Sequence, residues 1–255
     1  MKKVTAFIGS PRKKATYQAV QEFEKDLKQY AGIDFEYVFL KDYNLEYCRG
    51  CLSCFDKGEE NCPLHDDRDK LLEKIEHSDG VIFATPIYAF QVPARMKNFL
   101  DRFAYYYHRP KFFDKTFTAI VTQGFFGGKD VQKYLEVMGE NFGFQVTKGS
   151  CLTTLDPMTE NQQKKLIQEI KKAAARFYKE LMRSSPPTPS LFRLMMFRMA
   201  RTNVMVLDKK YSDYHYFKDK GWFENDYYYD TNLGLIKKLA GYLFDFLGRQ
   251  MVKYK

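Results

Sequence analysis

The stretch Val4-Thr5-Ala6-Phe7-Ile8-Gly9-Ser10-Pro11-Arg12-Lys13-Lys14-Ala15-Thr16 constrains this chain more than any other. Its first five residues are β-branched, small or aromatic and carry no charge, the composition of a buried strand. Gly9-Ser10-Pro11 then turns the chain into a helical pattern that begins at about Ala15. A strand that hands over directly to a helix leaves backbone N–H groups unpaired at the helix start. Together with the positive end of the helix dipole, those donors favour a phosphate. Ser10 and Thr16 add hydroxyls, and Arg12 adds a fixed cation with a planar donor fork. The loop has neither the G-x-G-x-x-G pattern nor the G-K-[ST] ending of the common nucleotide loops. An ordinary strand–turn–helix with a solvated Arg is the plainer alternative.

The segments that follow alternate. Ala15 to about Tyr30 places Val20, Phe23, Leu27 and Tyr30 on one helical face, and Phe35 to Leu40 reads as a second strand. Asp66 and Asp67 open a helix carrying Leu71, Leu72 and Ile75, with acids suited to its first turn. Gly80 to Thr85 is a third strand without charge, as the middle of a parallel sheet requires. Pro93 opens a helix through about Tyr107, Thr116 to Thr122 is a fourth strand, and a glycine-bearing loop at 124–128 leads into a helix to about Asn141. Phe144 to Leu152 is a fifth strand, and a long helix runs from Thr159 to Met182. This alternation predicts an α/β, doubly wound, five-stranded parallel sheet in the order 2-1-3-4-5. The crevice of such a sheet lies between the carboxyl ends of strands one and three. The loop after Thr85 is therefore expected to be a ligand loop too.

Thr85-Pro86-Ile87-Tyr88-Ala89-Phe90-Gln91-Val92-Pro93 meets that demand: two prolines stiffen it, and its aromatics can cover a planar ring. The GSPR loop followed by TPIY-x-x-x-V-P-A-x-x-K-x-F-x-D-R (Thr85 to Arg102) resembles the NAD(P)H-dependent FMN reductase family on a flavodoxin-like fold, over roughly the first 180 residues. The resemblance implies FMN phosphate on Ser10, Arg12 and Thr16, with Tyr17 nearby. It also implies the isoalloxazine ring along Pro86, Ile87, Tyr88 and Phe90, and a third contact from Thr122, Gln123 and Gly124. The phosphate loop is a residue shorter than the common family form, with Ala15 where a polar residue is frequent, which shifts weight to Arg12 and Thr16. Lys97, Asp101 and Arg102 read as a solvated ion-pair set on a helix face.

Cys48, Cys51, Cys54 and Cys62 spell C-x2-C-x2-C-x7-C. Three cysteines at successive three-residue spacings can wrap a cubane, and Gly50 lets the backbone come close. Zinc sites more often present two separated pairs. The spacing is similar to that of the iron–sulfur flavoproteins, a branch of the same family with a [4Fe–4S] cluster near FMN. Related FMN reductases carry a similar loop, ending in an Asp pair such as Asp66-Asp67, with no cluster. Both readings stay open at this point. Cys151 reads as a small buried residue of the fifth strand. His65, His77, His108 and His215 form no metal or catalytic constellation.

Ser184 to Pro189 is a stiff linker, dividing a domain at 1–183, which holds the cysteine loop 48–62, from an extension at 184–255. The extension is mainly helical and aromatic-rich, with helices expected over Leu191 to Val206 and about Leu235 to Leu247. It is expected to pack as an arm or a lid; attachment to a membrane surface ranks last. Met1-Lys2-Lys3-Val4 runs into a strand with no signal-peptide segment, so a cytoplasmic protein is expected. The net charge of +9 suits an anionic small molecule such as a nicotinamide dinucleotide, though nucleic acid or an anionic membrane would also answer it.

These readings converge on an NAD(P)H-dependent flavin oxidoreductase. It would bind FMN, take NAD(P)H as co-substrate and reduce a small acceptor such as a quinone or flavin, and the resemblance implies a homodimer or homotetramer. The flavin carries the chemistry, so no catalytic side chain is expected. The alternatives are an iron–sulfur flavoprotein passing single electrons and, further off, a zinc-stabilised or basic nucleic-acid-binding module. No nucleic-acid recognition motif supports the last of these.

Overall fold

The computed structural model describes residues 1–30, 32–155 and 157–253. The uncharged run after Lys3 forms β1 (Lys2–Ile8), followed by α1 (Ala15–Leu27) and β2 (Ile33–Phe39). A short helix, α2 (Ser53–Asp56), lies in the cysteine-bearing loop and α3 (Arg68–Glu76) follows it. Then come β3 (Gly80–Pro86), α4 (Ala94–Arg102), β4 (Thr116–Gln123) and α5 (Gly128–Asn141). Two short strands, β5 (Gln145–Val146) and β6 (Ser150–Thr153), precede α6 (Glu160–Leu181). The remainder is helical: α7 (Leu191–Met205), α8 (Ser212–Asp219) and α9 (Gly234–Lys253).

The sheet order is β2-β1-β3-β4-β5 with every pairing parallel, the doubly wound arrangement expected of the alternating pattern. The single fifth strand expected over 144–152 is broken in two. β5 pairs with Thr116 and Phe117, β6 pairs with the stretch from Ile120 to Gln123, and residues 147–149 leave the ladder between them. A Cβ at Gly149 would stand 2.3 Å from the Ala119 carbonyl oxygen, so only glycine lets the strand come this close as it rejoins β4. The Gly149 N–H is not lost there; it donates to the Glu136 carboxylate at 2.7 Å.

Alternation along the strands sorts the core into two layers. Val4, Ala6, Ile8, Ile82, Ala84 and Ile120 face α1 and α6, meeting Val20, Phe23 and Phe177. The opposite face carries Phe7 and Phe83, which pack on Phe99 of α4 at centroid distances of 5.4 and 5.3 Å. Thr159 begins α6 with a capping box, its hydroxyl accepting the Gln162 N–H while the Gln162 side chain accepts the Thr159 N–H.

Two compact units result: Met1–Arg49 with Leu64–Ser184, and Gly50–Pro63 with Ser185–Lys255. The second unit contains the short helix α2 of the cysteine loop, in contact with α8, and pairs α7 with α9. Its interior is where the aromatic excess goes. Trp222 packs edge-on against Phe217 and Tyr228, and its indole N–H donates to the Tyr228 carbonyl at 3.0 Å. Among the described residues no helix is long and apolar enough to cross a membrane.

Candidate functional site

A cavity of about 720 Å³ opens at the carboxyl ends of β1, β3 and β4, within the size range of small-molecule and cofactor sites. It is lined by Ser10, Arg12 and Thr16 from the first loop, Pro86 and Ile87 from the exit of β3, and Thr122, Gln123 and Gly124 from the exit of β4. The cavity lies at the switch point of the sheet, where parallel strands in this order separate their loops.

The first loop is shaped by close packing. A Cβ at Gly9 would stand 3.0 Å from Met96 Cβ and 3.3 Å from Thr85 Oγ1, so the backbone leaves the sheet tight against α4. The Gly9 N–H extends the ladder to the Ala84 carbonyl at 2.8 Å. Beyond it, the buried Ser10 hydroxyl folds the loop on itself, donating to the Arg12 carbonyl at 3.0 Å and accepting the Arg12 N–H at 3.3 Å. Helix α1 then begins at Lys14 with no side-chain cap and no acid in its first turn. A helix start left open in this way, beside the exposed side chains of Arg12 and Lys14, presents N–H donors and cations of the kind that an anion takes up.

Thr16, which lines the cavity as expected, also has a structural partner. Its buried hydroxyl pairs with that of Thr122 at 2.6 Å, tying the start of α1 to the exit of β4. Gln123 is likewise committed. Its amide donates to Thr153 Oγ1 at 3.1 Å and its carbonyl accepts the Gly128 N–H at 2.8 Å, which fixes the loop that closes the site.

Tyr17, Tyr88 and Phe90 do not line the cavity. Tyr17 packs beside it against Tyr37 and Phe39, with centroids at 5.3 and 5.4 Å. Tyr88 and Gln91 exchange backbone hydrogen bonds of 2.8 and 3.0 Å across a tight turn whose two central residues are Ala89 and Phe90, at φ 47° and 64°. Such a turn normally calls for Asn and Gly, so two ordinary L-residues hold it under strain. Phe90 is packed in place: its ring lies 5.2 Å from that of Phe126, and a Cβ at Gly127 would stand 2.6 Å from Phe90 Cδ1. Gln18, Ala19 and Glu22 of α1 also line the cavity, as do Thr154, Leu155, Met158 and Leu166, which the sequence does not mark as site residues. Their one signal is position, since Thr154 to Met158 follow the carboxyl end of β6, as the other ligand loops follow their strands.

The entry to the cysteine loop is anchored by residues read differently from sequence. Lys97 and Asp101 do form an exposed pair at 2.5 Å, but Arg102 does not share their solvated face. It is buried, donating to the Asp66 carboxylate through both terminal nitrogens and to the Glu46 carbonyl at 2.9 Å. Its long side chain turns away from the axis at a helix end, which i, i+5 spacing alone does not reveal. Asp66 also accepts the Glu46 N–H at 2.8 Å, Asp67 accepts the Asn44 N–H at 2.7 Å, and Asn98 donates to the Leu45 carbonyl at 2.9 Å. The Asp pair therefore clamps the strand-to-loop crossing, and Asp66 also accepts the N–H of Arg68, the first residue of α3, at 3.1 Å. Burial opposes ionisation of Asp66, yet its bonds to Arg102 and to the Arg68 and Glu46 N–H groups outweigh this and hold the carboxyl below its usual range.

Cys48 lies in the first unit; Cys51, Cys54 and Cys62 lie in the second. Gly50 and Leu52, at φ 62° each, flank Cys51 in the left-handed region and bend the loop sharply. Cys48 and Cys51 are exposed, while Cys54 and Cys62 are half-buried. Among the described residues no three His, Cys, Asp or Glu side chains are gathered as ligands for a metal ion. Cys151 is half-buried, and burial pushes its thiol up.

Comparison with known proteins agrees with this fold. The chain is 38% identical over 108 residues to an iron-sulfur flavoprotein of Archaeoglobus fulgidus, a match covering 42% of this chain and 48% of that protein. It is 30% identical over 175 residues to an iron-sulfur flavoprotein of Clostridioides difficile, covering 66% of this chain and 76% of that one. The chain thus spans about half the length of the archaeal relative. In fold it is similar to an NAD(P)H:quinone oxidoreductase from Methanothermobacter marburgensis, with a TM-score of 0.55 at 18% identity, covering 68% of this chain and 95% of that one. An azoreductase from Bacillus anthracis gives a TM-score of 0.51 at 17% identity, covering 71% of this chain and 100% of that one. Residues 2–154 match the profile of the NADPH-dependent FMN reductases, and the chain belongs to that family.

Proposed function

We propose that this chain is an NAD(P)H-dependent flavin oxidoreductase that holds FMN non-covalently in the cavity between β1, β3 and β4. The observation that carries the reading is the uncapped start of α1, with Arg12 and Lys14 beside it, in the lining of a cavity that the stiff Pro86-Ile87 segment also lines. One end of that cavity suits a phosphomonoester and the other a flat, largely apolar ring. Bound FMN would supply hydride acceptance from NAD(P)H and electron delivery to a second substrate.

The protein's own groups bind and orient. Arg12 offers its guanidinium fork to the phosphate, while Ser10 holds the Arg12 backbone in place instead of contacting the ligand first. Thr16 and Thr122 lock the two walls together, and Gln123 fixes the loop at Gly124. Pro86 and Ile87 support the ring. Tyr88 and Phe90, on the strained turn that follows, are the aromatics that would cover the ring, and the second substrate is a small molecule such as a quinone or a flavin. The family resemblance supports a homodimer or homotetramer as the working form.

A second reading adds a [4Fe–4S] cluster on Cys48, Cys51, Cys54 and Cys62. It is favoured by the cysteine spacing and by the iron-sulfur flavoproteins among the chain's relatives. The described residues do not present a gathered ligand set, so no electron route is drawn through it. One experiment tests both readings: absorption of anaerobically purified protein, with iron and sulfide quantified, before and after NADPH. Flavin bands that bleach with NADPH are expected. A colourless protein that fails to take up added FMN overturns the assignment, and stoichiometric iron and sulfide would establish the second reading.

A further inference from the structure

Helix α9 is inverted relative to a helix that faces water. Ile236, Leu239, Tyr242, Leu243, Phe246 and Leu247 point outward, between 44% and 79% exposed. The face turned toward α7 is small and polar. A Cβ at Gly241 would meet the Arg198 guanidinium at 3.2 Å, and one at Gly248 would meet Thr202 Cβ at 3.0 Å, so the two helices lie close. Asp245, the sole acid in the α9 sequence, is buried between them, accepting from Arg198 at 2.8 Å and from Arg201 at 2.6 Å. A soluble surface helix places its apolar stripe against the core and its charges in water. Here small residues mediate the helix contact and the apolar stripe faces out, which is the arrangement that lipid selects.

We infer that α9 lies in the plane of an anionic membrane surface, its apolar stripe seated at the acyl boundary. The charges decide the occupant. With Asp245 neutralised inside, the exposed charged side chains among those described on α9 are Lys238 and Arg249, both cations. A second copy docked face to face on α9 would set these like charges near one another, with no carboxylate from the helix to answer them. Anionic headgroups answer both, while the boundary below them accepts Leu, Ile, Phe and Tyr. The helix does not span, since it is not long and apolar enough to cross. The sequence alone ranks membrane attachment last; the inward orientation of Asp245, which leaves the outward stripe of α9 apolar, reverses that order.

The test is flotation of the full-length protein with vesicles of phosphatidylcholine alone or with about a third phosphatidylglycerol. The wild type is expected to float with the anionic vesicles and to stay in solution with the neutral ones. Leu239→Glu with Leu243→Glu should abolish flotation. Lys238→Gln with Arg249→Gln, removing two headgroup contacts, should weaken it by roughly tenfold to thirtyfold. All four positions are exposed, so circular-dichroism melts and FMN content should stay at wild-type values. The inference is overturned if the wild type does not float, or if it floats equally well with Glu at both positions. It is also overturned if light scattering shows a dimer that the double-Glu variant dissolves while vesicles capture neither form.

Discussion

Replacing Arg12 with Ala separates phosphate recognition from every other contribution to flavin binding. Of the three side chains that the sequence assigns to the phosphate, Thr16 pairs with Thr122 and Ser10 bonds the Arg12 backbone, while among the described residues no partner holds the Arg12 guanidinium. A charge-assisted hydrogen bond contributes roughly 1.5–3 kcal/mol. Arg12 is exposed, and solvent screening places it at the lower end, about 1.5–2 kcal/mol, or a tenfold to thirtyfold rise in the FMN dissociation constant. The uncapped amides of α1 remain in the variant and should retain weak phosphate affinity. Titration of apoprotein with FMN and with riboflavin, followed by flavin fluorescence, makes the measurement specific. Riboflavin lacks the phosphate, so its affinity should be unchanged, and the gap between the two ligands should narrow with added salt. An equal loss for both ligands would show that Arg12 acts through the fold of the loop, and a change under about twofold for FMN would refute the anion-site argument.

Gly9→Ala forces a Cβ to within 3.0 Å of Met96 and should destabilise the first unit by about 1–3 kcal/mol, read as a lower urea midpoint with an unchanged slope. Ala89→Gly relieves a left-handed alanine and should stabilise by about 0.5–1 kcal/mol, raising the melting temperature by about 1–3 °C; a fall would show that the turn is not strained. The carboxyl of Asp66 is held low in the folded state, so its contribution is complete above the unfolded value near 3.9 and is lost as pH falls through the lower folded one. Asp66→Asn should therefore cost about 3–5 kcal/mol at neutral pH by stranding Arg102, and should flatten the stability-versus-pH curve on its acid side. Urea melts at neutral and acid pH check both halves of that statement.

The sheet and its order were legible because parallel strands buried on both faces read as uncharged runs, Gly80 to Thr85 most plainly, and because helix-length segments separate them. The position of the cavity follows from topology, and of the residues expected at the strand ends Ser10, Arg12, Thr16, Pro86, Ile87, Thr122, Gln123 and Gly124 line it. The break between β5 and β6 was not legible. It depends on how closely Gly149 approaches Ala119, a contact between strands far apart in sequence.

Local chemistry, then, dictated which residues could build this site: strand composition, proline and glycine punctuation, and the supply of cations near a helix start. Partnership was decided in three dimensions. Thr16 went to Thr122, Arg102 to Asp66 and Asp245 to two arginines because each polar group, once buried, must find a mate among whatever the packing brings near. Residue spacing records periodicity along one element, and the choice among partners on different elements is made only when those elements meet.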